Sequence, residues 1–168
     1  MSELIKRTLL IFVAGMMSGT VQATDLNITG KVVASPCAVD TTSVSQDVNF
    51  GQVRLTEMRA AGNASDWKPF EVKLINCPSA TTSVTVTFSG MPASDATLYA
   101  NTGTAPNAAV QVAQEINKSL IQGNGSTMTV PVDAQRSATY ALAGRLIVTD
   151  DTGAGTFSSV VQMAFTYQ

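Results

Sequence analysis

The chain has 168 residues, 10 Lys and Arg against 12 Asp and Glu, no histidine and two cysteines. A net charge of −2 argues against nucleic acid or an anionic membrane surface as partner. With no histidine, and with the two cysteines as a pair, the usual donors for a zinc site and the usual bases for neutral-pH catalysis are missing. The expectation is a protein that is not an enzyme and holds no cofactor.

The first element in chain order is a leader. Lys6 and Arg7 precede an apolar run from Leu9 to Met17, and Val21-Gln22-Ala23 supplies a small-residue cleavage site. This layout predicts a secretory signal peptide over residues 1–23, because the apolar run is too short to span a bilayer. No later stretch looks transmembrane, so the protein is expected not to be membrane-embedded. Residues 24–33, "TDLNITGKVV", alternate, with Leu26, Ile28 and Val32 on one side and Asp25, Asn27, Thr29 and Lys31 on the other. They read as an extension leading into a domain over residues 34–168. Cys37 and Cys77 are an even pair in an exported chain, and are expected to form a disulfide.

Short strands follow. Lys31 to Val39, "DVNFGQV" with Val48, Phe50 and a bulge at Gly51, "FEVKLIN", "SVTVTFSG", "AVQVAQEI" through Ile116, "TMTVPVD" and "YALAGRLIVTD" all carry strand-type patterns between Gly, Asn, Ser, Pro and Asp. Residues 91–107 read as a long surface loop. The last strand is predicted from Gly155 to the carboxylate, with Gly155, Phe157, Ser159, Val161, Met163, Phe165 and Tyr167 sharing one face. Seven or eight such strands with polar turns predict an all-β sandwich. Other features have ordinary structural explanations. Asp150 and Asp151 precede Thr152-Gly153, which is turn chemistry. Trp67 and Tyr99 suit core or loop packing as well as sugar stacking. Four Asn-X-Ser/Thr triplets begin at Asn27, Asn63, Asn117 and Asn124.

An apolar strand ending at the carboxylate is a liability if its edge is open. Either the two terminal strands pair within the chain, or the extension of one copy pairs with the last strand of another. At this point a family resemblance appears. "GKVVASPCAV", "VNFGQV", "AAGNASDW", "INCP", "TVTFSG", "GTAPN", Gly155 thirteen positions before Gln168, and the penultimate Tyr167 occur in order along the chain. Together they resemble the pilin subunits of the chaperone–usher pathway, and most of all minor tip-fibrillum adaptors of type 1-like fimbriae. The resemblance implies an incomplete immunoglobulin-like sandwich lacking its last strand. It implies a donor strand carrying Leu26, Ile28, Gly30 and Val32. It also implies a C-terminal strand (Gly155, Phe157, Val161, Met163, Phe165, Tyr167, Gln168) that binds a periplasmic chaperone and then an adjacent pilin subunit at an outer-membrane usher. The route would run through the periplasm to a fimbrium on the cell surface. The extension is short for such a subunit. Two alternatives stay open: cleavage upstream of Ala23, or a donor strand that continues through Gly30 into Val32. The competing function is a single-domain fimbrial adhesin for a host glycan or protein.

Overall fold

The computed structural model of the protein describes residues 36–44 and 46–168. The expected leader, 1–23, and the expected donor residues Leu26, Ile28, Gly30 and Val32 lie outside the described residues. Eight strands are present: β1 (Ala38–Val39), β2 (Lys68–Ile75), β3 (Ser83–Gly90), β4 (Tyr99–Ala100), β5 (Ala108–Gln114), β6 (Thr127–Pro131), β7 (Ala138–Val148) and β8 (Val161–Tyr167). One 3₁₀ turn, Leu55–Glu57, is the only helical element among the described residues.

The strands form two antiparallel sheets, one ordered β1-β2-β7-β5-β4 and the other β6-β3-β8. Strict alternation in β3 turns Val84, Val86 and Phe88 to the core and leaves Thr85 and Thr87 on the outer face. From the larger sheet Val72, Leu74, Tyr140 and Leu142 meet them, and Val130 joins from β6. β7 is paired on both sides, to β2 and to β5. This central position matches its eleven residues, apolar or small apart from Thr139 and Arg145. Tyr140 is fully buried and satisfies its hydroxyl by donating to the Val84 carbonyl at 2.8 Å.

Cys37 and Cys77 are bonded. The bridge ties the two-residue β1 to the end of β2, where ladder pairing alone covers only Ala38–Ile75 and Val39–Leu74. Arg136 closes the same corner. Its Nε donates to the Cys77 carbonyl at 2.8 Å and its Nη2 to the Thr81 carbonyl at 3.3 Å.

Four expectations need correction. Val48 and Phe50 are not in a strand, because Gly51 turns the chain with φ +67° and donates its N–H to Asn49 Oδ1. Ile116 lies beyond β5 and is 92% exposed. Residues 91–107 are not wholly surface loop: Tyr99 in β4 is fully buried and donates its hydroxyl to the Gln122 carbonyl at 2.9 Å. The last strand starts at Val161, six residues later than the alternation suggests.

Candidate functional site

The smaller sheet ends at β8, whose only ladder partner among the described residues is β3. Its register runs from Val84–Tyr167 to Gly90–Val161. Val161, Met163, Phe165 and Tyr167 face inward, yet each is only half-buried, while Gln162, Ala164 and Thr166 are exposed. In a closed sandwich such a face would be covered. Here it lines an open apolar groove of about 890 Å³ between the sheets. The floor is Val72, Phe88, Val110, Val112 and Leu142, and the far wall includes Val39, Val48 and Phe50. Beyond Val39 in β1 that wall is irregular chain, and among the described residues no ladder joins it to β8. Phe165 packs against Tyr140 with ring centroids 5.7 Å apart.

A second cavity of about 590 Å³ continues the groove, lined by Met58, Leu146, Val148, Ala108 and the 152–157 segment. Both cavities share Phe50 and Phe157, whose rings are tilted against each other at 5.7 Å.

Gly155 and Phe157 therefore serve the site from outside the strand. Residues 156–158 leave the β8 line and bond to the chain just after β4. Thr102 N–H donates to the Ser158 carbonyl and Ala105 N–H to the Thr156 carbonyl, both at 2.8 Å. The alternating side-chain pattern persists through this crossing, which explains why it reads as one long strand. A β-carbon on Gly155 would stand 2.7 Å from Ala105 Cα, so this position is set by close backbone approach. Gln168 is likewise held within the chain: its N–H donates to the Ser83 carbonyl at 3.0 Å, and its terminal oxygen accepts from Thr82 N–H at 2.7 Å.

The remaining candidates are structural in geometry. Trp67 lies under the Arg145 guanidinium at 4.4 Å, and Arg145 Nε also donates to Gln111 Oε1 at 2.8 Å. Asp150 Oδ1 accepts from Asp151 N–H, as a turn requires. Among the described residues no three His, Cys, Asp or Glu side chains cluster as metal ligands. No described helix is long and apolar enough to cross a membrane. Sequence reasoning missed the irregular wall and the buried Tyr99. Val48 and Phe50 did signal apolar alternation, but only the fold shows that it faces a gap.

A family model described as Fimbrial protein matches residues 26–168. The chain belongs to this fimbrial protein family. It is 38% identical to Protein FimG of Escherichia coli K12, over 92% of each chain. It is 32% identical to the fimbrial-like protein YdeR of the same organism, over the full length of both. In fold it is similar to the P pilus rod subunit PapA, with a TM-score of 0.65 at 19% identity, covering 80% of this chain and all of that one. A chaperone–usher pilus structure matches at a TM-score of 0.66 and 20% identity, over 88% and 96% of the two chains. The chain's fold is the immunoglobulin-like fold of chaperone–usher pilus subunits, and its family is one of fimbrial subunits.

Proposed function

We propose that this structural or adaptor subunit assembles into a surface fimbria by receiving an extended strand from its neighbour in the groove beside β8 and lending its own extension in turn. The observation that carries the reading is the edge of β8, which has no partner among the described residues, over an apolar groove. A strand laid there would pair its backbone with β8 and place alternate side chains between the sheets. Leu26, Ile28, Gly30 and Val32 supply such a face, and Asp25, Asn27, Thr29 and Lys31 the solvent face. Before assembly a periplasmic chaperone would cover the same edge and contact the Gln168 carboxylate through a basic side chain. Exchange would follow at an outer-membrane usher. The leader over 1–23 would bring the chain to the periplasm.

Each buried anchor contributes about 1.5–3 kcal/mol, but ordering the extension costs about 1–2 kcal/mol per residue. Retention then rests more on slow release of a many-bonded strand than on equilibrium affinity. The test is Ile28→Asp, which places a charge in an apolar groove. The variant should form its chaperone complex at the normal yield and fail to donate to the next subunit. Normal fibre incorporation would overturn the assignment of the extension.

A further inference from the structure

We infer that Asn101 is the residue that positions the groove wall, acting through Phe157. The inference rests on the strand-receiving role of the groove. Phe157 lies at the junction of the two cavities, so its location sets the width of the passage between them. It is not in the β8 ladder, which begins at Val161. What holds it must act on its neighbours in sequence.

The Asn101 side chain does so on both sides. Oδ1 accepts from Ser158 N–H at 2.8 Å and from Gly103 N–H at 2.8 Å. Nδ2 donates to the Ala105 carbonyl at 2.8 Å and to the Thr156 carbonyl at 3.4 Å. One half-buried amide thus grips Thr156 and Ser158, the residues flanking Phe157, and joins both to the 103–105 turn. Thr104 also meets Thr156, with its Oγ1 accepting from Thr156 N–H at 2.9 Å. It makes no such contact with Ser158 and is exposed. An amide needs both its donor and its acceptor end for this grip. Aspartate would keep the acceptor but set a carboxylate against the two carbonyl oxygens.

The experiment uses the full chain, refolded with an excess of a fluorescent synthetic peptide of residues 24–33, and reads the peptide's release rate. Asn101→Ala should speed release on the order of ten-fold, the scale of losing one to two net hydrogen bonds at a half-buried amide. Asn101→Asp should do the same, and Thr104→Val should change it less than about three-fold. Phe157→Ala should also speed release. The decisive reading is the double variant: if Asn101 acts through Phe157, adding Asn101→Ala to Phe157→Ala produces no further acceleration. General destabilisation would instead multiply the two effects. Multiplied effects, or unchanged release in both Asn101 variants, overturn the inference while leaving the strand-receiving role intact. Failure of the unaltered chain to retain the peptide overturns that role, and the inference falls with it.

Discussion

A β-carbon added to Gly103 would stand 2.6 Å from the Thr156 carbonyl carbon, and one on Gly155 would meet Ala105 and Thr104 backbone equally closely. Neither obstacle is a flexible side chain, so the two segments would have to separate. Gly155→Ala should therefore destabilise the chain by about 1–3 kcal/mol, as overpacking does. Denaturant unfolding of the peptide-complemented chain would measure the loss, and an unchanged midpoint would refute it. The buried tyrosines give a second prediction at this scale. Burial pushes the Tyr99 phenol up to about 12. Tyr140 is pushed up as well, first by burial and then by its neighbour Tyr167. In the unfolded chain both phenols titrate near about 10. Below that pH they are neutral in both states, and their contribution to stability is fully present. Above it the unfolded chain releases protons that the folded chain keeps, so stability falls by about 1.4 kcal/mol per pH unit for each tyrosine. For Tyr99 the fall continues to about pH 12. Tyrosinate absorbance should therefore appear together with loss of the β-sheet circular dichroism signal. Ordinary titration near about pH 10 with an intact fold would contradict it.

Among the elements, β1 depends most on a covalent tie. It has two ladder positions, and the Cys37–Cys77 bridge spans 40 residues of chain. Opening a loop of that length should cost about 4 kcal/mol in the chain-entropy model. Cys37→Ser with Cys77→Ser should shift urea unfolding by that amount, and an unchanged midpoint would show that the ladder alone secures β1. Most strands were legible because their alternation coincides with a buried face: β3 alternates cleanly, and β2 and β7 carry Val72, Leu74, Tyr140 and Leu142. Short elements were not. Tyr99 stands in a stretch rich in Ala, Asn, Thr and Pro, and its pairing with Val110 on one side and Pro92 on the other makes it strand. Val48 and Phe50 show the opposite failure. Their pattern is that of a half-buried strand, but burial here comes from facing a groove, and among the described residues no neighbour supplies a ladder. The groove itself was legible only through the family resemblance. Periodicity reports which face of β8 is apolar, and it is silent on whether the other edge has a partner.

The whole molecule carries a net charge of −2, and the charge is distributed in a way that bears on how a strand is held. Among the described residues, only Asp47 is ionisable in the lining of the larger cavity, and none is in the lining of the smaller one. The contacts available to an incoming strand are mainly apolar side chains, with a few uncharged polar ones such as Ser43 and Gln46, and the edge of β8 that has no partner among the described residues. Salt screens exposed charge pairs over about 10 Å at 0.1 M and about 3 Å at 1 M, but leaves backbone bonds and apolar burial largely in place. Release of the 24–33 peptide from the complemented chain should therefore change less than about two-fold between 0.1 M and 1 M sodium chloride. Urea, which solvates both apolar and peptide groups, should accelerate it steeply. Capture of the terminal carboxylate by a basic partner is a charge-assisted contact at an exposed residue, Gln168, and complexes that use it should weaken as salt rises. Measuring release of both partners across the same salt series separates the two modes. A peptide that leaves ten times faster in high salt would mean that Asp25 or Lys31 makes a dominant ionic contact, and that apolar burial with β8 pairing does not govern retention.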